Sequence, residues 1–462
     1  MKKLLYFSVA IVLVLSFALY YFLRIPLWNL PDVVRVATGL GAKIACSSRY
    51  ISNFSHERIM NDLASYSSAN RLVELRYDDG NKRVTATLWG MGEKNALYRD
   101  GIGCTLENGD APLRAQPLQP VGAAEQQLKQ VWPQGHEVTT TSKTWQTLTD
   151  TMLRNDNIAG RHTRALIIVK NGKIVAESYG KGIDQNTPLL GWSMGKSVTA
   201  MLIGNLVMNN QLSLRDDQLF TSWLEDERAD VNIEDLLTMT SGLGFDETYA
   251  PGSDATHMLF HAPSASDVAM RAPLEREPGK HFSYSSGTTN LLSRIIYAHT
   301  GGDLSANLAY LHQTLIAPLN LRHLLFEVDA SGVFVGSSYI YATSRDWAKL
   351  GLLMLNNGEI NGHRVYSPAF AHQMKTPNAS INERRYGYQV WLNSGGEAKR
   401  WPLLPEDAYA MMGSRSQIVM AIPSEDMVIV RLGWSKRRYP IDTQFAHLIK
   451  KGREKSLMES SR

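Results

Sequence analysis

The sequence predicts an α+β protein whose antiparallel sheet is assembled from two hairpins far apart in the chain, with helices laid on it. The first hairpin is 165–170 (ALIIVK) and 173–179 (KIVAESY), joined by Asn171-Gly172. That pair tolerates the positive φ angles of a tight hairpin turn. The second is 417–422 (QIVMAI) and 427–432 (MVIVRL), flanking the turn Pro423-Ser424-Glu425-Asp426. Between them the apolar residues recur at helical spacing, and a helical middle enclosed by two strand pairs implies one sheet built from both ends of its domain.

In chain order, Met1-Lys2-Lys3 form a short cytoplasmic tip before residues 4–23, twenty residues without a formal charge, closed by Arg24. At ~1.5 Å per residue a helix of that length crosses a hydrocarbon core of about 30 Å. Lys2 and Lys3 keep the N-terminus inside, so the body is expected on the outer, periplasmic side of a bacterial cytoplasmic membrane. Ser16-Phe17-Ala18 has the small-x-small form of a leader cleavage site, but the apolar Leu19-Tyr20-Tyr21-Phe22-Leu23 after it favours an uncleaved anchor.

Residues 25–135 are expected to form a smaller exported domain with a linker. Within it 71–77 and 83–89 alternate around Asp78-Asp79-Gly80-Asn81, a strand–turn–strand pattern, and 110–135 carries prolines at 112, 117, 120 and 133. Residues 140–455 form the larger domain. It opens with an amphipathic helix at 144–155. After the first hairpin a helix runs from 193 to 209 with Val198, Met201, Leu202 and Leu206 on one stripe. Further helical segments fall at 233–240, 265–271, 288–300, 304–315 and 344–356, and a last one at 443–451.

Composition narrows the function. Of 462 residues, 44% are hydrophobic and 20% charged, the balance of a chain with a sizeable core. A net charge of +4, with no block of five or six basic residues, gives no nucleic-acid footprint. Two cysteines exclude a disulfide-rich scaffold and a four-cysteine zinc site; with no His- or Cys-rich cluster, no metal is expected. Cys46 and Cys104 can form one disulfide in an oxidising compartment, with about 4 kcal/mol expected from closing so long a loop. Their spacing also allows two buried thiols.

The chemistry concentrates in Gly191-Trp192-Ser193-Met194-Gly195-Lys196-Ser197, which reads both as G-x-S-x-G and as S-x-x-K. The first reading needs a buried parallel strand before the serine. Here a short, proline-containing 186–191 precedes it and a hairpin lies upstream, so that context fails. In the second reading, Ser193 at a helix start and Lys196 three residues on share one face. A serine hydroxyl needs a base, and Lys196 qualifies if burial and the helix dipole keep it uncharged. A second segment, 277–287 (EPGKHFSYSSG), adds Tyr284 and Ser286 just before a helix.

With both segments in view, about residues 145–450 resemble the serine hydrolases of the class C β-lactamase and penicillin-binding-protein superfamily. Tyr284 matches the tyrosine of that family's P-G-x-x-F-x-Y-S segment. The stretches 236–243 (LLTMTSGL) and 342–348 (ATSRDWA) with Asn356-Asn357-Gly358 match two more motifs. The chain most resembles the 6-aminohexanoate-dimer hydrolase and family VIII esterase branch, which has Tyr-Ser-Ser where β-lactamases have Tyr-x-Asn; here Ser286 replaces that asparagine. The resemblance implies a β-lactamase-like fold, Ser193 as nucleophile, Lys196 and Tyr284 as the proton relay, and no cofactor. The strand of the third lactamase motif corresponds to 412–417, where Gly413, Ser414, Arg415 and Ser416 would line the substrate site and supply an oxyanion donor; Arg415 either presents a cation there or is a plain surface strand residue. No Lys-Thr-Gly stands there. This points away from β-lactams toward a small ester or linear amide.

Other residues are weaker candidates. Trp192 either walls the pocket or packs in the core. Tyr249 and His257, in the loop 244–257, either line the cleft or lie on the surface. The segment 386–391 (YGYQVW) resembles one near the pocket mouth, and its alternation equally fits a plain strand. His281 reads as structural. The alternatives to an esterase or amidase are a cell-wall D,D-peptidase or β-lactamase, and a non-catalytic sensor keeping the fold. The substrate, the role of 25–135 and the oligomeric state are not encoded legibly.

Overall fold

The computed structural model describes residues 29–109, 130–139 and 141–460. The expected tip and anchor, and most of the proline-containing linker, lie outside the described residues. No described helix is long and apolar enough to cross a membrane.

Two helices lead, α1 (Leu30–Tyr50) and α2 (His56–Ala64). The strands β1 (Val73–Asp78), β2 (Arg83–Leu88), β3 (Met91–Arg99) and β4 (Gly103–Leu106) follow as an antiparallel sheet in that order. The β1–β2 hairpin is the one the alternation predicts, with Tyr77 opposite Val84. α1, α2, β3 and β4 were not anticipated. α1 contains glycines, serines and β-branched residues, a poor intrinsic helix former; burial of Thr38 to Ser48 against the sheet stabilises it instead. A disulfide joins Cys46 of α1 to Cys104 of β4.

The larger sheet has six strands. β5 (Thr163–Lys170) and β6 (Lys173–Tyr179) form one edge. β7 (Leu189–Leu190), β8 (Leu325–Phe326) and β9 (Ile340–Ala342) make a small separate sheet, and β10 (Glu359–Ile360) with β11 (His363–Arg364) a minor hairpin. β12 (Trp391–Leu392), β13 (Tyr409–Gly413), β14 (Gln417–Ile422) and β15 (Met427–Gly433) complete the large sheet in the order β12-β13-β14-β15-β5-β6, all antiparallel. Ile167 of β5 faces Val430 of β15, so the sheet is closed by segments from both ends of the domain.

Its two faces bury different partners, because successive side chains on a strand point opposite ways. Leu166, Ile168, Ile418, Met420 and Ile429 pack with Trp145 and Met152 of α3 (Lys143–Ile158) and Phe445 and Leu448 of α8 (Ile441–Ser460). Ile167, Val169, Val419, Val428 and Val430 belong to the main core with the helices α4 (Met194–Met208), α5 (Asp254–Phe260), α6 (Ser286–His299) and α7 (Ser344–Leu355).

That main core also contains Leu40, Ile44, Val84 and Ala96. The helix–sheet unit at 29–109 therefore shares its apolar interior with the larger part of the chain. A buried ion pair spans the same junction: Lys43 Nζ of α1 lies 2.6 Å from Glu327 Oε2. Glu327 Oε1 also accepts from Ser47 Oγ at 2.8 Å and from the Cys104 N–H at 2.6 Å.

Candidate active site

Ser193 stands at the N-cap of α4, delivered by a sharp turn after β7. Trp192, just before it, has φ +49°, a left-handed conformation uncommon for a bulky residue. Ser193 itself is near-helical at φ −63°, ψ −3°. α4 runs so close to the chain at Gly336 that a Cβ on Gly195 would sit 2.5 Å from the Gly336 carbonyl oxygen. This close approach seats Lys196 in the interior, 1% exposed.

Lys196 Nζ lies 3.2 Å from Ser193 Oγ, 2.9 Å from Ser286 Oγ and 3.2 Å from the Ser337 carbonyl oxygen. The proton inventory around it is informative. The Ser286 hydroxyl donates to Glu247 Oε1 at 2.5 Å, so it accepts from Lys196. The Ser337 carbonyl can only accept. An uncharged amine thus spends both its N–H groups on these two oxygens and turns its lone pair to the Ser193 hydroxyl. Desolvation lowers the Lys196 pKa to about 8, against an opposing attraction from Glu247. The base is consequently half-deprotonated near pH 8 rather than near 10.

Tyr284 reaches the serine from the other side and shares a hydrogen bond with it. Burial raises its pKa, partly offset by that bond, so the group stands as a neutral phenol rather than a phenolate. Lys196 Nζ also sits 4.9 Å from the Tyr284 ring centroid. The Tyr284 ring is stacked on Trp391, centroids 5.4 Å apart at 21°, and Tyr386 meets both edge-on. The segment 386–391 is therefore an aromatic wall of the site, and the two-residue β12 begins only at its last residue, Trp391.

Ser286 opens α6, and the helix start places its N–H 2.7 Å from Glu247 Oε2. Tyr249 contributes as well, its hydroxyl 3.0 Å from Ser286 Oγ and 3.0 Å from Glu247 Oε1. The Tyr249 residue is 44% exposed while its hydroxyl is turned inward, and burial of that group raises its pKa well above the ordinary value. His257 is exposed and paired edge-on with His261, outside the cluster. His281 contacts Asn382.

Three expectations need correction. Trp192 is 5% exposed and packs against Tyr66, Tyr339 and Trp434, so it is a core residue beneath the serine and not a pocket wall. Residues 412–417 are not one strand: β13 ends at Gly413, and 414–416 make a tight turn with φ +62° at Arg415 and +64° at Ser416. Gly413 backs directly onto the serine turn, where a Cβ would lie 2.1 Å from the Gly191 carbonyl oxygen. Arg415 is committed elsewhere, stacked 3.6 Å over the Tyr66 ring with NH1 3.2 Å from the Ser65 carbonyl. The unit at 29–109 thus braces the turn that follows Gly413.

The chief omission is Glu247. Its signal was its place two residues before Tyr249 in a loop already under consideration. Because Glu247 favours the charged amine, Glu247→Gln should lower the Lys196 pKa further. The acid limb of the pH–rate profile should then move to lower pH, which steady-state kinetics across pH 5–9 would reveal.

Comparison with known proteins places this geometry in a family. Residues 150–446 match the Beta-lactamase family. The 6-aminohexanoate-dimer hydrolase of Paenarthrobacter ureafaciens is 23% identical over 289 residues, covering 58% of this chain and 72% of its own. Among solved structures, EstCE1, a hydrolase with promiscuous acyltransferase activity, superposes with a TM-score of 0.55 at 15% identity, over 66% of this chain and 98% of its own. A family VIII carboxylesterase gives 0.53 at 13% identity, over 68% and 98%. With a matched region that takes in the whole six-stranded sheet and every polar group around Ser193, the chain belongs to the Beta-lactamase family and is a serine hydrolase.

Proposed function

We propose that the protein hydrolyses an ester or linear amide through an acyl-enzyme on Ser193, on the outer face of the cytoplasmic membrane, tethered by residues 4–23. The observation that carries the reading is the 3.2 Å contact of the buried Lys196 Nζ with Ser193 Oγ. In the first step Ser193 Oγ bonds to the carbonyl carbon while its proton passes to Lys196 Nζ. The oxyanion is received by the Ser193 N–H at the α4 N-terminus, where amides lack intrahelical partners, together with an N–H of the turn after Gly413. As the leaving-group bond breaks, the Tyr284 phenol supplies a proton to the departing oxygen or nitrogen and regains one by way of Lys196. Water then cleaves the acyl-enzyme with the same groups in reverse.

Simple substrates are favoured over β-lactams because the lactamase lysine has no counterpart at 412–417 and Arg415 is held by Tyr66. The test is turnover of p-nitrophenyl butyrate against nitrocefin, with Ser193→Ala as control. Ester turnover that Ser193→Ala abolishes, without nitrocefin turnover, is the expected result. Nitrocefin hydrolysis at a comparable rate would favour the β-lactamase alternative. Unchanged ester turnover in Ser193→Ala would overturn the reading.

A further inference from the structure

Three large apolar side chains that stay exposed gather at one end of the four-stranded sheet. Trp89 is 61% exposed, Met91 51% and Leu72 47%. Trp89 and Gly90 make the turn between β2 and β3, closed by the pairing of Leu88 with Met91, and both have positive φ, +53° and +71°. Such a turn favours Asn-Gly. A tryptophan in its first position carries backbone strain, and with the ring largely in solvent no burial within the chain offsets it. Leu72 precedes Val73, which pairs with Leu88, and so comes level with Trp89. This is also the end where α1 starts. A Cβ on Gly92 would lie 2.3 Å from Val34 Cγ1, whereas the last turn of α1 meets the opposite end of the sheet, with the Tyr50 hydroxyl 3.0 Å from Asp79 Oδ1. The structure describes the chain from residue 29, and five residues, 24–28, separate that point from the apolar stretch 4–23. The loop that brings Tyr249 to Ser286 passes the same turn of α1: a Cβ on Gly252 would lie 3.4 Å from Asp32 Oδ2.

We infer that the β2–β3 tip, with Leu72 beside it, is a second membrane contact, which seats the protein on the outer leaflet of the bilayer. This rests on the tether proposed for residues 4–23, and the experiment below separates the two. Even fully extended, the link 24–28 keeps the start of α1 within about 20 Å of the anchor. A tryptophan flanked by a methionine and a leucine suits the boundary between headgroups and acyl chains, where the indole ring lies in an apolar layer and its N–H in a polar one. Two contacts fix an orientation that a single tether leaves free. They hold the Tyr249 side of the active site toward the headgroups.

Cys46 and Cys104 are joined to each other, so an introduced cysteine is the one free thiol of the chain. The experiment uses the full-length protein in phosphatidylethanolamine–phosphatidylglycerol vesicles, with an environment-sensitive NBD label at Met91→Cys or at Ile158→Cys. Ile158 is 80% exposed but ends α3, on the face of the large sheet away from the unit at 29–109. Flotation with the vesicles reads the tether, and quenching by spin-labelled lipid reads the seat. The label at 91 should be blue-shifted and lose most of its emission to the spin-labelled lipid, while the label at 158 keeps the emission of a dye in water. Adding Leu72→Ser and Trp89→Ser should abolish the quenching at 91. A floating protein whose label at 91 is unquenched overturns the seat and leaves the tether standing. A label at 91 that is blue-shifted yet untouched by the lipid quencher shows another part of the chain, or a second copy, covering the tip, and overturns the seat as well. Equal quenching at 91 and 158 overturns it too, since no one end then faces the bilayer. Failure to float overturns both the tether and the seat.

Discussion

Lys196→Ala is expected to slow acylation of Ser193 by ~10²–10⁴-fold, the range over which a positioned base contributes. The expectation follows from three contacts. Ser286 and the Ser337 carbonyl take the N–H groups of Lys196, so the remaining lone pair faces the serine. No other described group is placed to accept that proton: Tyr284 is held as a phenol by burial, and Glu247 reaches Ser286 rather than Ser193. Lys196→Arg should be as inactive as Lys196→Ala, because a guanidinium keeps its charge and has no lone pair to offer. That comparison separates a base from a mere positive charge. Burst kinetics with p-nitrophenyl butyrate measure the acylation step, and an unchanged circular dichroism spectrum shows that the fold persists. Activity in Lys196→Arg near that of the parent would refute the base role.

Lys43→Met should destabilise the fold by about 3–5 kcal/mol, the usual cost of leaving a buried ion without its partner. Glu327 is 0% exposed and Lys43 2% exposed, and both lie at the junction of α1 with the β8–β9 region. Burial pushes the Glu327 carboxyl up and the Lys43 amine down, while their mutual attraction opposes both. The short contacts from Lys43, Ser47 and the Cys104 N–H all suit a carboxylate, and we assign the ionised pair on that geometry. Lys43→Met combined with Glu327→Leu removes both charges and should recover part of the loss, the remainder being the buried Cys104 N–H left without its acceptor. Denaturant unfolding of the two variants measures the difference. The effect should reach the site as well: Lys43 lies 4.3 Å from the Tyr339 ring centroid, and Tyr339 packs on Trp192 beneath Ser193.

How much of this was legible in the sequence depended on whether a signal was local. The hairpins at 163–179 and 417–433 announced themselves through Asn171-Gly172 and the Pro423 turn. Ser193, Lys196, Tyr284 and Ser286 each sit in a short motif at a helix start, where spacing along the chain fixes direction in space. α1 left no such trace, since its helix is imposed by burial against a sheet formed later in the chain. β3, with the sequence MGEKNALYR, is held by neighbours on both sides rather than by alternation. Ser337 contributes a backbone carbonyl, which any residue type could supply. Trp192 stayed undecided and Arg415 was misplaced for one shared reason: their partner, Tyr66, lies more than a hundred residues upstream, in a part of the chain that looked like a separate domain.

The most direct measurement is the rate at which a fluorophosphonate modifies Ser193, followed across pH 5–10 by mass spectrometry of the peptide that carries it. Because the folded Lys196 has its pKa depressed to about 8, its neutral form grows as pH rises through that value. The rate should climb tenfold per pH unit well below 8 and level off above it. A flat profile through this window, or modification at another residue, would contradict an amine that must be uncharged to draw the proton from Ser193.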